Sequence, residues 1–241
     1  MADAADVALN LVFMGPPGAG KGTQAERFAQ EHAIPKISTG DILREAVAGK
    51  SPLGVEVKAL MDRGDLVSDD LIIGIVRERL ARADAARGFV LDGFPRTVAQ
   101  ARALDILLAD RGPLIVVEIQ VPDEELVRRV VSRRICAKCG RTVSAFGADG
   151  SAAEQCVTCG GALVSRSDDN EQIVRDRLNV YWRETQPMIA FYQSRPTYRA
   201  IDGAQSPERV RDALVAAVAS ALSKPATELK AGSTVRSEKN A

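Results

Sequence analysis

The sequence predicts an α/β protein, a parallel β-sheet core flanked by helices. Three observations point there. Apolar strand-like runs alternate with helical patterns along the chain, which is the signature of a sheet covered on both faces. A glycine-rich turn, "GPPGAGKGT" (15–23), joins the first apolar run to the first helical pattern. The 241 residues, 46% hydrophobic and 27% charged, suit one ordinary globular domain with a small insert.

The elements follow in order. "ALNLVFM" (8–14) is an apolar run ending at Gly15, a buried strand feeding the glycine turn. "KGTQAERFAQEH" then takes up helical periodicity. Residues 38–67 are helical with little strand character, an excursion from the core. "DDLIIGIVRERLARA" is a further helix, "GFVLD" (88–92) a strand and "TVAQARALDILLAD" a helix. "LIVVEIQV" (114–121) is a strand and "DEELVRRVVSRR" a helix. Residues 134–169, rich in Gly, Ala, Ser and Cys, form a second excursion. "NEQIVRDRLNVYWRE" is a helix that places Tyr181 and Trp182 in the core, and "YRAID" (198–202) is the last strand. The polar stretch 223–241 lacks periodicity and reads as a disordered tail, and residues 1–7 as a flexible N-terminus. Open parallel sheets bind ligands at the carboxyl ends of their strands.

Charge and hydropathy exclude several classes. The 32 basic and 32 acidic residues cancel, so no nucleic-acid or membrane partner is expected. No apolar run approaches the length of a membrane span, roughly 18 residues. The opening "MADAADVALN" has neither a basic n-region nor an apolar h-region. A reducing, cytoplasmic setting and a monomer are the expectations.

The turn 15–23 is the sharpest local signal. Its glycines let successive backbone N–H groups point at one anion, and the helix that follows adds its positive end. Lys21 supplies a mobile charge. The strict phosphate-loop pattern wants Ser or Thr directly after the lysine; here Gly22 intervenes and Thr23 follows it. Asp92 ends the strand expected beside this loop, where a carboxylate can hold magnesium through waters. Asp41, in "STGD", is a helix cap or assists there.

Together with "ISTGDILR" (37–44), "GFVLDGFPRT" (88–97) and "SRSDD" (165–169), the turn resembles the nucleoside monophosphate kinases, adenylate kinase in particular, over roughly residues 8–222. The resemblance implies a P-loop kinase domain at 8–222, with an AMP-binding insert at 38–67 and a zinc lid at 133–169. It implies transfer of a phosphoryl group from Mg·ATP to AMP, giving two ADP. Such a reaction needs positioning and charge neutralisation more than covalent chemistry, and arginine suits phosphate oxygens. Arg44 and Arg96 resemble the arginines that hold the AMP phosphate, and Arg133 the one on the ATP side. Arg129, Arg166 and Arg177 resemble those converging on the transferred group. Gly18, Ala19, Gly20, Lys21, Gly22 and Thr23 would hold ATP phosphates. Thr142, Val143 and the backbone of Gly203–Gln205 would meet its base; an aromatic residue common after "GR" and a lysine near "DG" are replaced by Thr142 and Gln205. On the acceptor side the resemblance implies Thr39, Asp65, Leu66, Val67, Gly93, Phe94, Pro95 and Gln100. Gln100 follows Arg96 by one helical turn, so both can face one ligand, and its amide offers a donor and an acceptor to an adenine edge. Asp168 and Asp169 would pair with the arginines. His32, the sole histidine, reads as structural.

All four cysteines lie in two C-x-x-C pairs, Cys136/Cys139 and Cys156/Cys159. That spacing matches a tetrathiolate zinc site that is structural, with no position open for water. A redox pair or a disulfide is the alternative. Two other functions stay open at this point. One is a kinase for another monophosphate or using GTP. The other is an ATP-dependent nucleic-acid binder with a zinc ribbon, against which stand the zero net charge and an aromatic content of 4%.

Overall fold

The computed structural model describes residues 8–144, 154–166 and 168–223. The expected flexible residues 1–7, and the expected disordered tail beyond Ser223, lie outside the described residues. The chain runs β1 (Leu9–Met14), α1 (Lys21–His32), β2 (Lys36–Ser38), α2 (Thr39–Ala48), α3 (Pro52–Arg63), α4 (Asp69–Leu80), β3 (Gly88–Asp92), α5 (Val98–Leu107), β4 (Leu114–Gln120) and α6 (Asp123–Val131). Then come β5 (Arg133–Cys136), β6 (Thr142–Ser144), β7 (Leu163–Val164), α7 (Glu171–Val180), α8 (Gln186–Gln193), β8 (Tyr198–Asp202) and α9 (Pro207–Leu222).

Five strands make a parallel sheet in the order β2-β3-β1-β4-β8. β1 is central and buried on both faces. Leu11 and Phe13 face one apolar layer with Phe28, Leu126, Val174 and Leu214; Val12 and Met14 face the other with Val76, Leu104, Met188 and Tyr192. Burial on both faces is why β1, β3 and β4 read as continuous apolar runs rather than alternating ones. Outside the main sheet, the antiparallel β6-β5-β7 sheet carries Cys136 on β5, and the other three cysteines lie in the segments beside its strands.

Two expectations need correction, and a third region holds strands that the sequence did not show. The segment around residue 38 contributes a fifth core strand, β2, of only three residues, too short to show a period. Three short strands lie in the Gly/Cys-rich excursion. Trp182 is 41% exposed, while Tyr181 is buried as expected. The buried stripe Val174, Leu178, Tyr181, Thr185, Met188 and Tyr192 recurs at three and four residues without it. One turn of π-helix, Tyr181–Thr185, links α7 to α8 at that point.

The topology fixes the site. In register, Asp92 pairs with Phe13 on one side and Ser38 on the other. The carboxyl ends of β1, β2 and β3 therefore open on one edge, where the glycine turn begins. A Cβ on Gly15 would stand 2.5 Å from the Ile119 carbonyl, so the loop can leave β1 only with no side chain there. α3 sits directly on α2, since a Cβ on Gly54 would lie 2.0 Å from the Ala46 carbonyl.

Candidate active site and metal centre

Gly18 and Gly20 have φ of +90° and +91°, a region side chains disfavour. The loop they shape wraps toward α1, with Ala19 buried inside and Lys21 opening the helix. The Lys21 ammonium donates to the carbonyls of Gly15, at 2.7 Å, and Pro16, at 2.9 Å. Burial pushes its pKa down to about 8; Asp92 opposes this, while Arg96, Arg177 and Arg133 add to it. Gly22, where a hydroxyl residue would stand in the strict pattern, comes so close to Asp92 that a Cβ would lie 3.2 Å from Oδ2. Thr23 is exposed on the next position.

The arginines gather round this cradle. Burial, then Arg177, lowers the Arg96 pKa to about 10, with Asp92 opposing. Burial, then Arg44 and Arg133, lowers Arg166 likewise to about 10. Burial also lowers Arg177, against the pull of Asp168. Several of these cations are held by carboxylates. Arg133 donates through Nε to Asp169 at 2.7 Å and through Nη2 to its other oxygen. Arg177 donates to Asp168 at 2.9 Å, and Arg44 to Asp41 at 2.5 Å. Arg166 lies 3.9 Å from Asp41, and its buried Nε has no partner among the described residues. Asp41 does not cap α2; Ser38 does, accepting from the Asp41 N–H at 3.2 Å. Burial disfavours the Asp41 charge, but Arg44, with Lys36 and Ser38, outweighs it and holds the carboxyl at about 2. Concentrated cations short of counter-charge in a water-poor cleft favour a polyanion.

Arg129 donates through Nε to Glu125 at 2.8 Å and through Nη1 to the Gly203 carbonyl at 2.9 Å. These contacts tie it to the end of β8. Gln205 follows β8 and bonds Asp202 at 3.1 Å, while Thr142 and Val143 lie on β6.

A cleft adjoins the cradle, lined by Thr39, Arg44, Asp65, Leu66, Val67, Gly93, Arg96, Gln100 and Arg177. The Gly93 carbonyl, at φ +83°, accepts from Thr39 Oγ1 at 3.0 Å and from Arg96 Nε at 2.8 Å. Phe94 and Pro95 are buried beneath, joined by a cis peptide. Gln100, 2% exposed, accepts the Arg96 N–H at 2.8 Å. Leu43, Met61 and Ile72 also line this cleft and escaped the sequence reading. Apolar residues at helical spacing read as core, and only the docking of α2, α3 and α4 shows that part of this face borders a cleft. His32 is structural, stacked on Phe28 at 3.9 Å between ring centroids.

The four cysteine sulfurs lie within 4.8 Å of one another. Cys136 and Cys159 are 3.4 Å apart and Cys139 and Cys156 3.7 Å, near the ~3.8 Å edge implied by a zinc–sulfur bond of ~2.3 Å in a tetrahedron. Backbone N–H groups of Lys138 and Cys139 donate to Cys136 Sγ, each at 3.4 Å. A Cβ on Gly161 would stand 2.8 Å from that sulfur, so a glycine is needed for the strand to pass. The donor set fits zinc and leaves no protein position vacant.

The chain matches the family model for adenylate kinase over residues 13–197. It is 48% identical to the adenylate kinase of Archaeoglobus fulgidus over 204 residues, covering 84% of this chain and 94% of that protein. It is 50% identical to the adenylate kinase of a Geobacillus species over 204 residues, with the same coverage of each. To that of Exiguobacterium sibiricum it is 52% identical over 197 residues, 81% of this chain and 92% of that one.

Proposed function

The chain belongs to the adenylate kinase family of ATP:AMP phosphotransferases, and from that premise we propose how its residues carry Mg·ATP + AMP ⇌ 2 ADP. The observation that supports the reading is the meeting of two anion sites. The glycine cradle with Lys21 borders the cleft of Thr39, Arg44, Arg96 and Gln100, and Arg177 reaches both. The cradle from Gly18 to Thr23 takes the ATP phosphates on backbone N–H groups and the dipole of α1. Lys21 releases its two carbonyls and follows the transferring phosphoryl group. Arg44 and Arg96 hold the AMP phosphate. Arg133, Arg166 and Arg177 exchange Asp169, Asp41 and Asp168 for phosphate oxygens as charge spreads in the transition state. Arg129, tied to Gly203, serves the base end of ATP beside Gln205, Thr142 and Val143. In the acceptor cleft, Thr39 and the 65–67 backbone line the base, and Gln100 reads its edge.

Magnesium carried by ATP neutralises phosphate charge. Asp92 is the hard oxygen donor beside the cradle, and the absence of a side chain at Gly22 keeps its approach open. Zinc on Cys136, Cys139, Cys156 and Cys159 is structural. The small β6-β5-β7 sheet buries little apolar surface beyond Cys136 and Cys156, so a metal supplies its rigidity. A reducing, cytoplasmic setting keeps the thiols available to it. Among the described residues no helix is long and apolar enough to cross a membrane.

Incubation of ATP with AMP, CMP, UMP or GMP, and separately with DNA, tests the reading. ADP formed with AMP alone is the expected outcome. Equal use of another monophosphate, or phosphate release stimulated by DNA, would refute it.

A further inference from the structure

The Gln100 amide is locked from both ends. Its Oε1 accepts the Arg96 backbone N–H at 2.8 Å. Its Nε2 donates to Asp69 Oδ1 at 2.7 Å. Neither contact tolerates a flipped amide. A backbone N–H can only donate, so oxygen must face it; an ionised carboxylate can only accept, so nitrogen must face Asp69. The second Asp69 oxygen accepts from Thr97 Oγ1 at 2.8 Å, and Thr97 Oγ1 in turn accepts the Gln100 N–H at 3.2 Å. The carboxylate is therefore oriented by α5, the helix that carries Gln100. Gln100 borders the acceptor cleft; Asp69 does not.

An amide has two N–H groups and two lone pairs. The protein uses one of each, which leaves one of each for a ligand. A 6-amino purine offers a donor at its exocyclic nitrogen and an acceptor at N1. A 6-oxo purine offers the reverse, an acceptor at O6 and a donor at N1. An amide of fixed polarity suits the first. Against the second it sets oxygen to oxygen and N–H to N–H, or must break both of its protein contacts to turn over. Sites built to satisfy one hydrogen-bonding pattern reject its opposite strongly, because buried polar groups are left unpaired.

We propose that Asp69 is a positioning residue that fixes the polarity of the Gln100 amide and through it the choice of a 6-amino over a 6-oxo purine monophosphate. The proposal rests on the reading that Gln100 faces the acceptor base. A plain helix-terminus role for Asp69, at the start of α4, is already supplied by Asp70 beside it, which is exposed.

The test compares wild type with Asp69→Leu, Asp69→Ala, Asp69→Asn and Gln100→Leu. Each is checked for folding by circular dichroism, and binding of AMP and GMP is measured by calorimetry beside kcat/KM for each acceptor. Leucine fills the space and removes the acceptor; alanine stands in if leucine does not fold; asparagine restores an acceptor. In Asp69→Leu the AMP-over-GMP ratio should fall about tenfold or more, with KM for ATP within about twofold of wild type, and Asp69→Asn should recover most of the ratio. A purely structural role would weaken AMP and GMP in parallel, leave the ratio unchanged, and overturn the proposal. Failure of asparagine to restore the ratio would overturn it too. If Gln100→Leu collapses the ratio while the Asp69 variants keep it, this proposal alone falls. If Gln100→Leu leaves the ratio intact, the base-reading assignment falls with it.

Discussion

Replacing Lys21 with methionine removes one charge and keeps the length of the side chain. The ammonium now rests on the Gly15 and Pro16 carbonyls and has one role left to lose, following the phosphoryl group. Removal of one preorganised contact to developing charge costs about 10²–10³ in kcat, or about 2.7–4 kcal/mol. Arg96, Arg133 and Arg177 stay within electrostatic range of the vacated position, so nucleotide binding should survive and the loss should fall on kcat. A second signature comes from protonation. Burial holds Lys21 at about 8 in the free protein, against an ordinary 10.5. Its charge is present below about 8 and lost above, while bound polyphosphate raises its affinity for the proton. Wild-type kcat/KM for ATP should therefore fall about tenfold per pH unit beyond that point, while kcat does not bend there. Stability moves the other way. Between about 8 and 10.5 the unfolded chain still holds the proton that the folded one has released, so wild type gains stability relative to the variant as pH rises through that window. Coupled ADP formation from pH ~6.5 to ~9.5, with melting curves of both proteins, reads all three. A variant with half the wild-type turnover, or a wild-type kcat/KM flat across that range, would remove Lys21 from the transfer.

Arg96→Ala should raise KM for AMP at least about tenfold and leave KM for ATP nearly unchanged, since it loses a charged contact on the acceptor side only; equal changes in both, by steady-state kinetics, would contradict the assignment. Cys156→Ser should lower the melting temperature yet keep appreciable activity well below it, and elemental analysis of wild type should find about one zinc per chain; a metal-free protein of equal heat stability would defeat this. Gly18→Ala should cost about 1–2 kcal/mol for its left-handed backbone, and more because the new Cβ would stand 2.8 Å from the Leu126 carbonyl; calorimetry should show weaker ATP binding, and unchanged affinity would mean that the loop does not need this shape.

Three of the four legible core strands, β1, β3 and β4, are apolar nearly throughout because both of their faces are buried, whereas the edge strand β8 buries only Ile201; the glycine turn was legible because few backbones other than a phosphate cradle need so many. β2 was not legible: its three residues are held in place by register with β3 rather than by any pattern of their own. The arginines were found by motif, but their partners were found only by the fold. Nothing local shows that Arg129 turns to the Gly203 carbonyl, 74 residues away in sequence. Asp69 was invisible for the same reason. It sits 31 residues before Gln100, and an acidic residue opening a helix has an ordinary local explanation.

The Arg133–Asp169 pair has a further consequence, for how the molecule can be rebuilt. These residues are 36 apart in sequence yet joined by two hydrogen bonds, and α6 already packs on α7. The cysteine-bearing stretch thus leaves and rejoins the body at one doorway. A segment whose ends meet imposes almost no closure cost on its host. It can be treated as an interchangeable cassette: a different hairpin, with metal or without, could be grafted between the same two residues while the central sheet keeps its register. The constraint on any graft is narrow. It must return the chain to Asp169 at the spacing Arg133 requires, and it must bring back an arginine where Arg166 now stands.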